Sequence, residues 1–203
     1  MEITSLTTDL ISQGKRELRQ RTLNARDQLR PDYREACSVA LKKYVSFFED
    51  VSEKVVSGFW PIRSEIDPRF LMEALQMAGA TIALPVVVDR TTIEFRAYQS
   101  EEELIPSGFG TFGPPPSAQV VEPEIMLVPL SVFDCYGGRI GYGAGHYDRA
   151  ITRLRDSGKN PLTVGIAFAL QEVTKVPQDG HDIRLDYILT HEGIIHPDEW
   201  VLN

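Results

Sequence analysis

Apolar positions recur at helical spacing along the first quarter of the chain. In the stretch SQGKRELRQRTLNARDQL, one side of a helix would carry Leu18, Thr22, Ala25 and Leu29. Pro31 cannot continue that helix, but it suits the first turn of a second one, which we expect to run to about Phe48. The pattern therefore predicts two consecutive helices at the start of the chain.

Short apolar runs then alternate with one helical pattern. We expect KVVSGFWP to form a strand and DPRFLMEALQMAG a helix, with Asp67 as its N-cap, Pro68 at its first position and Gly79 after its end. TIALPVVV and TIEFRAY predict two neighbouring strands. The segment from Gln99 to Pro123 is rich in Glu, Gly and Pro, so we expect little regular structure there and a role in covering a site.

The second half of the chain follows the order strand, loop, helix, strand. IMLVP predicts a buried strand, and a glycine-rich segment leads from it into a short helix from about His146 to Asp156. LTVGIAF predicts the next strand and YILT the last one. This order is typical of a parallel α/β sheet, whose ligands bind at the carboxyl ends of the strands.

Composition and charge narrow the class of protein. The 203 residues are 42% hydrophobic and 25% charged, which suits one globular domain spanning residues 1–203. The net charge of -8 disfavours general nucleic-acid binding, and the two cysteines form no metal-binding or disulfide pattern. No apolar run is long enough for a membrane helix, and the first residues do not resemble a secretion signal. We expect a cytoplasmic protein that binds neither nucleic acid nor membrane.

One stretch is basic against this acidic average. Between positions 15 and 34 the chain has three acids and seven basic residues, which are Lys15, Arg16, Arg19, Arg21, Arg26, Arg30 and Arg34. Lys15, Arg19 and Arg26 lie on one side of the first predicted helix, because eleven residues make close to three turns. A cationic face therefore runs beside the apolar one.

The stretch RIGYGAGHYDR holds the strongest candidate chemistry. Gly141, Gly143 and Gly145 leave the backbone free to bring successive N–H groups to an anion, and the helix that follows adds its dipole. The spacing fits neither GxGxxG nor GxxxxGK, so a phosphate site here needs a cation from Arg139, Arg149 or the Lys15–Arg19 segment. A tight connection with no ligand is the alternative interpretation.

Acidic residues near this loop suggest a metal. Asp148 either complements the dipole of its helix or holds Mg²⁺ against phosphate oxygens. Asp182 and Asp186 precede the last predicted strand and are candidates for a second ligand, at the same edge of the sheet or at the opposite one.

Four segments, in this order along the chain, resemble one enzyme family. They are KRELR, FWPIRSEID, SGFGTFGPPP and EIMLVPLSVFDCYGGRIGYGAGHYDR, and they resemble the 5-formyltetrahydrofolate cyclo-ligase (methenyltetrahydrofolate synthetase) family. The resemblance implies a single-domain, three-layer α/β sandwich around a mainly parallel, mixed sheet. It also implies cyclisation of 5-formyltetrahydrofolate to 5,10-methenyltetrahydrofolate with ATP as co-substrate and Mg²⁺ as cofactor, releasing ADP and phosphate. A monomer is expected, acting on folate with or without a polyglutamate tail.

The resemblance also assigns residues to roles. It implies that Lys15 and Arg139 are catalytic and that Asp148 and Asp186 ligate Mg²⁺. For ATP it implies two segments: Lys15, Arg16, Glu17, Leu18 and Arg19, and then Arg139, Ile140, Gly141, Tyr142, Gly143, Ala144, Gly145, His146 and Tyr147. For the folate it implies Arg19, Trp60, Glu65, Tyr142, Gly143, Ala144, Gly145 and His146.

Two positions depart from the family pattern. His146 stands where the family usually has a tyrosine, and Gly113 stands where it usually has a glutamate before Pro114. Two other functions stay open: a phosphate-loop enzyme of the same fold acting on a sugar phosphate or acyl substrate, and a non-catalytic protein that binds nucleotide or folate.

Overall fold

Helices cover both faces of a central sheet in this protein, whose computed structural model describes residues 2–99, 103–180 and 182–197. The described α-helices are α1 (Glu2–Asp27), α2 (Pro31–Ala40), α3 (Arg69–Met77) and α4 (His146–Asp156). Two 3₁₀ helices span Leu41–Phe48 and Ala169–Gln171.

The strands begin after the first two helices. In chain order they are β1 (Val55–Ser57), β2 (Thr81–Val87), β3 (Ile93–Ala97), β4 (Ile105–Pro106), β5 (Phe112–Gly113), β6 (Val120–Val121), β7 (Ile125–Pro129), β8 (Val132–Phe133), β9 (Arg139–Ile140), β10 (Leu162–Ala167), β11 (Tyr187–Thr190) and β12 (Ile194–Ile195). Eight of them form one sheet in the order β12-β11-β10-β7-β1-β2-β3-β6.

The centre of this sheet is parallel and its edges are antiparallel. Strands β11, β10, β7, β1 and β2 run in one direction. At one edge β12 pairs antiparallel with β11, and at the other β3 pairs antiparallel with both β2 and β6. Two small hairpins, β4–β5 and β8–β9, lie outside the sheet.

Buried side chains alternate between the two faces of the sheet. In β7, Ile125 and Leu127 join one apolar cluster, whereas Met126 and Val128 join the other. Leu71 and Leu75 of α3 pack into the first cluster, and Ala150, Ile151 and Leu154 of α4 into the second. Since both faces of a parallel sheet need such cover, the three-layer α/β arrangement expected from the sequence is confirmed.

Three local predictions are wrong in detail. The second helix changes to 3₁₀ winding at Leu41 instead of staying α-helical to Phe48. Aromatic side chains favour the α-helix weakly there, and Phe47 packs edge-on against Tyr187 with ring centroids 5.0 Å apart. Helix α3 begins at Arg69, one residue later than expected, although Asp67 Oδ1 does accept the Arg69 N–H at 2.9 Å. YILT is not the last strand, because β12 follows it.

The segment from 99 to 123 contains more structure than its composition predicts. Its described part, residues 99 and 103–123, includes the short strands β4, β5 and β6, while residues 100–102 lie outside the described residues. Helix α4 has the predicted bounds, His146 to Asp156. Among the described residues, no helix combines the length and the apolar character needed to cross a membrane.

Candidate functional site

The glycine loop, residues 141–145, links β9 to the first turn of α4. Gly143 and Gly145 have φ angles of +102° and +66°, a region that favours glycine over residues with a Cβ. Gly145 is also the N-cap of α4 and has no side chain with which to cap it. The first N–H groups of α4 therefore point toward the loop without a side-chain acceptor from the N-cap, as an anion site requires.

Helix α1 brings Arg19 against this loop. Arg19 Nε donates to the Gly141 carbonyl oxygen at 2.7 Å. Its Nη2 lies 3.6 Å from the point where a Cβ on Gly143 would lie, so a side chain there would press on the guanidinium. Burial and the nearby charge of Arg16 lower the pKa of Arg19. Arg19 has no hydrogen-bonded carboxylate among the described residues, so its charge is available to an anion beside the loop.

The packing of Leu18 explains why α1 lies there. Leu18 packs against an apolar cluster formed by Val132 of β8, Ile140 of β9 and Val176. The β8–β9 hairpin follows β7 at its carboxyl end, where Ser131 N–H donates to the Ile140 carbonyl at 2.7 Å. The hairpin therefore fixes both the basic helix and the glycine loop at the edge of the sheet where ligands were expected.

Lys15 lies one turn before Arg19 but has different partners. Its ammonium group donates to Asp179 Oδ2 at 2.8 Å and also to Asp182 Oδ2. Burial alone would lower the pKa of Lys15, but the hydrogen bonds and charges of these two acids outweigh it and raise that pKa. Of the other α1 residues predicted to bind ATP, Arg16 is exposed and Glu17 accepts a hydrogen bond from Gln13 at 2.8 Å.

Arg149 holds two loops together in this structure. Its Nε donates to the Thr91 carbonyl and its Nη2 to the Ala144 carbonyl, both at 2.6 Å. The β2–β3 turn is thereby tied to the glycine loop. Of the cations that the sequence offered for phosphate, Arg149 is therefore the one most committed to backbone carbonyls.

Asp148 lies in the first turn of α4 and is already paired. Its Oδ1 accepts from Arg139 Nη2 at 2.9 Å and from the Ile183 N–H at 3.1 Å. Arg139 is buried with 6% of its side chain exposed, and 21% of Asp148 is exposed. The buried Arg139 Nε has no hydrogen-bond partner in the structure. Asp148 is thus held beside the loop by Arg139, whose Nε–H can still donate to a ligand.

Asp186 has different contacts from Asp148. Its Oδ2 accepts from the N–H and the hydroxyl of Thr163, at 2.8 and 2.7 Å, where strands β10 and β11 begin. Asp186 thus lies at the amino ends of these parallel strands, whereas Asp148 lies beside the loop that follows the carboxyl end of β7, so the expectation that the two aspartates hold one metal ion together is wrong. Within residues 2–99, 103–180 and 182–197, no group of three or more His, Cys, Asp or Glu side chains is arranged to hold a metal ion.

Trp60 and Glu65 lie on the segment that follows β1. Arg69 stacks over the Trp60 ring, 4.6 Å from its centroid, and Tyr98 packs edge-on against it at 6.2 Å. Glu65 Oε2 accepts the Ile62 N–H at 2.8 Å. Burial raises the pKa of Glu65, while hydrogen bonds from Tyr142 and from the Ile62 N–H lower it in part. A poorly solvated carboxyl group therefore adjoins the glycine loop through Tyr142, and Trp60 lies on the same segment, five residues before Glu65.

Arg26 is a member of this site to which the sequence assigned no role. Arg26 Nη2 donates to the Tyr142 hydroxyl at 2.9 Å, and Arg26 Nε donates to Ser64 Oγ at 3.0 Å. Arg26 shares the cationic side of α1 with Lys15 and Arg19, and this spacing was the available signal. Tyr147, which was predicted to contact ATP, has a buried hydroxyl with no hydrogen-bond partner among the described residues, and burial and the Glu65 charge raise the pKa of Tyr147.

A model of the 5-formyltetrahydrofolate cyclo-ligase family matches residues 11–191. The chain belongs to this family. The match includes α1 from before Lys15, the segment of Trp60 and Glu65, and the whole glycine loop. It confirms the resemblance carried by the four sequence segments.

Individual relatives support the same assignment. A 5-formyltetrahydrofolate cyclo-ligase of Mycolicibacterium smegmatis is 27% identical over 90% of this chain and 96% of that protein. One of Escherichia coli K12 is 31% identical over 69% of this chain and 79% of the other. Among solved structures, a 5,10-methenyltetrahydrofolate synthetase of Aquifex aeolicus superposes with a TM-score of 0.75 and 28% identity, covering 90% of this chain and 92% of that one.

The two departures from the cyclo-ligase pattern have clear surroundings. His146 Nε2 lies 3.2 Å from the Arg90 carbonyl oxygen, and its ring packs against Phe109 with centroids 5.4 Å apart. The imidazole therefore joins the glycine loop to two other loops. Gly113 lies where an added Cβ would be 3.0 Å from Val86 Cγ2 and 3.1 Å from the Pro85 carbonyl oxygen. This packing of β5 on β2 leaves no room for a glutamate unless the neighbouring chain shifts.

Proposed function

We propose that this protein cyclises 5-formyltetrahydrofolate to 5,10-methenyltetrahydrofolate and uses one ATP per turnover. The observation that carries the proposal is the position of Arg19 over a glycine loop with an uncapped helix end: Arg19 is a partly buried cation that pairs with no carboxylate of residues 2–99, 103–180 and 182–197. Membership of the cyclo-ligase family supports the same reaction. Such an arrangement binds a polyphosphate by charge and by backbone N–H groups together.

The nucleotide half of the site would combine α1 with the glycine loop. Arg19 would meet the phosphates directly, with the backbone of residues 139–147 around them. Lys15 would exchange the carboxylates of Asp179 and Asp182 for the incoming phosphate charge. Arg139 would donate from its buried Nε to the phosphate and hold Asp148 in place through Nη2. Lys15 and Arg139 would thus stabilise charge during phosphoryl transfer, which depends on positioning and electrostatics more than on a side-chain nucleophile.

The residues present fit Mg²⁺ through Asp148. This ion is commonly held by one or two carboxylates together with phosphate oxygens and water, and Asp148 is a partly exposed carboxylate beside the loop. When bound with ATP, Mg²⁺ would neutralise phosphate charge and favour transfer of the γ-phosphoryl group. Asp186 is not proposed as a second ligand, because its Oδ2 accepts from Thr163 at the amino ends of β10 and β11, whereas the glycine loop follows the carboxyl end of the parallel strand β7.

The folate half would lie against Trp60, Glu65 and the loop residues 142–146. An aromatic surface suits the pterin ring, and a carboxyl group at Glu65 can hydrogen-bond to pterin nitrogens. Tyr142 is 36% exposed, and its hydroxyl is held inward by Arg26. The exposed part of the side chain can contact a ligand that lies beside the loop. Arg19 would reach both substrates.

The chemistry follows from the poor leaving ability of a formamide oxygen. The formyl oxygen attacks the γ-phosphorus of ATP, an O–P bond forms, and ADP leaves. The lone pair of N10 then attacks the activated formyl carbon, N10 loses its proton, and the C–O bond breaks as phosphate departs. The new N10–C bond closes the ring. The protein's part is to keep both substrates aligned and to exclude water from the phosphoryl group.

A direct assay tests this function. Purified protein with Mg²⁺, ATP and 5-formyltetrahydrofolate should give methenyl absorbance, and omission of ATP should abolish it. Folate binding without ATP consumption would indicate a non-catalytic protein. Consumption of ATP only with a sugar phosphate or acyl compound would indicate another enzyme of the same fold. The single-domain organisation, the monomeric state, the cytoplasmic location and the acceptance of polyglutamate tails stay predictions.

A further inference from the structure

Arg26 is a buried charge that the proposed chemistry does not use. Only 1% of its surface is exposed, although a charged guanidinium is costly to remove from water. The two groups to which its guanidinium donates are neutral hydroxyls, Ser64 Oγ at 3.0 Å and Tyr142 OH at 2.9 Å. A buried charge held in this way on the side of α1 that faces the substrate site requires an explanation beyond packing.

Each of these hydroxyls is also hydrogen-bonded to a carboxylate. Ser64 Oγ donates to Asp27 Oδ1, and the Tyr142 hydroxyl hydrogen-bonds to Glu65. A guanidinium has donors and no acceptor, so each hydroxyl must accept from Arg26 and can point its own proton only away from it. Arg26 therefore fixes the direction of the Tyr142 proton, which is aimed at Glu65. Charge-assisted bonds in such a chain strengthen one another.

The chain of contacts joins three separate elements. Arg26 belongs to α1, Ser64 and Glu65 belong to the turn after β1, and Tyr142 belongs to the glycine loop. The turn is itself tightly set, because Arg63 has a φ of +54° and Ile62 N–H bonds back to the Glu65 carboxylate. A shift of the glycine loop when phosphate binds would move the Tyr142 hydroxyl, and the carboxylate of Glu65 would feel that shift.

We propose that Arg26 is a positioning residue that couples the nucleotide loop to the folate site by holding the Tyr142 hydroxyl against Glu65. The inference rests on the proposed function, since it assigns the two ends of the chain of contacts to ATP and folate. Two nitrogens of one guanidinium donate to two elements at once, Nε to Ser64 and Nη2 to Tyr142. The single ammonium group of a lysine cannot reproduce this geometry. Binding of either substrate therefore orders the site for the other.

The test measures this coupling by calorimetry. The affinity for 5-formyltetrahydrofolate is determined with and without a non-hydrolysable ATP analogue and Mg²⁺, in the native protein, Arg26→Gln, Arg26→Lys and Tyr142→Phe. The native protein should bind folate at least about fivefold more tightly with the analogue present, which is the lower end of typical coupling between two sites. All three variants should lose most of that factor, whatever change each makes in the affinity for either substrate alone.

Arg153→Gln is the control for removal of an arginine outside the site. Arg153 is an exposed arginine in the last turn of α4, and its Nη2 donates to the Ile93 carbonyl at 2.8 Å. The variant should lose little stability and keep the coupling. Tyr142→Phe removes one hydroxyl only, so it keeps the test valid if the Arg26 variants do not fold.

The outcomes separate this inference from the function. Undiminished coupling in Tyr142→Phe, or none in a native protein that binds both ligands, would overturn the role of Arg26 while leaving the cyclo-ligase activity intact. A native protein that binds neither ATP nor folate would overturn the proposed function itself. The pH profile of kcat/KM provides a second measurement. The titration of Glu65 depends on the groups that face it, which are Arg26, Arg63, Tyr142 and Tyr147. The acid limb of the profile should move in Tyr142→Phe and stay unchanged in Arg153→Gln.

Discussion

Arg139 Nη2 of β9 lies 2.9 Å from Asp148 Oδ1 of α4, so the acid proposed to bind Mg²⁺ is already paired with a cation across the glycine loop. The pair is partly buried, with 6% and 21% of the two side chains exposed. This arrangement holds the carboxylate beside the glycine loop before any metal arrives. It also means that the metal would add to an existing charge balance instead of creating one.

Asp148→Asn should abolish turnover without unfolding the protein. The amide keeps the shape of the side chain and can still accept the Ile183 N–H, but it loses the charge that a divalent ion requires. We expect kcat to fall by about two orders of magnitude or more, the scale seen when a group that stabilises developing charge is removed. Steady-state kinetics with circular dichroism as a folding check measures this.

A magnesium titration completes that experiment. The half-saturating Mg²⁺ concentration should rise in Asp148→Asn and stay unchanged in Asp186→Asn, because Asp186 lies at the other end of the parallel strands, bonded to Thr163. Unchanged activity in Asp148→Asn would return this residue to the role of complementing the dipole of α4.

Asp182→Asn should lower the KM for ATP. Lys15 is now held by Asp179 and Asp182, which compete with phosphate for its charge. Removing one of the two carboxylates should free Lys15 and tighten ATP binding by a few-fold, in keeping with the modest strength of a partly exposed ion pair. Initial rates at varied ATP measure it, with the exposed Asp156→Asn as control. A raised KM would mean instead that Asp182 positions Lys15 for ATP.

Glu65→Gln should stabilise the protein at alkaline pH while it weakens folate binding. Burial raises the pKa of Glu65 in the folded chain, so the folded state binds that proton more tightly than the unfolded state does. The associated stability is present at low pH and is lost as pH rises through the folded-state pKa. An uncharged amide avoids that loss, and it can still accept from the Ile62 N–H.

Thermal denaturation decides this point. The variant should melt above the native protein at about pH 8 and close to it at about pH 4, where the native carboxyl is protonated too. The exposed Glu172→Gln should change neither melting temperature. Equal or lower stability of Glu65→Gln at the higher pH would show that its carboxylate is better solvated or better paired than the structure indicates.

Gly143→Ala should weaken ATP binding more than it weakens the fold. The φ of +102° makes alanine costly there by about 1 kcal/mol, and the new Cβ would lie against the Arg19 guanidinium at 3.6 Å. Gly158→Ala is the matched control, since its φ is +81° and nothing lies within 4 Å of an added Cβ. Both variants should lose similar stability, but only Gly143→Ala should raise the KM for ATP. Equal KM values would place the phosphates elsewhere.

Local patterns in the sequence were sufficient for much of the fold. The apolar run of β7 and the glycine spacing after it predicted the strand, the loop and the bounds of α4, because burial and φ are local demands. The spacing of Lys15, Arg19 and Arg26 predicted one cationic side of α1, and all three do face the site. The partners of these residues depend on tertiary packing.

The missed contacts are all distant in sequence. Lys15 meets Asp179, Arg26 meets Ser64 and Tyr142, and no spacing rule brings such positions together. The sequence left open which edge of the sheet Asp186 occupies, because this follows from the direction of β11. In the structure Asp186 lies at the start of that strand, bonded to Thr163, whereas the glycine loop follows the carboxyl end of β7.

The central claim is that ATP activates the formyl oxygen of the folate. The most direct measurement uses 5-formyltetrahydrofolate labelled with ¹⁸O in the formyl group, with Mg²⁺, ATP and the native protein, followed by mass spectrometry of the released phosphate. The account predicts one labelled oxygen in the inorganic phosphate for each methenyl product formed, with ADP in equal amount. Methenyl product with the label in water, or phosphate without the label, would contradict it.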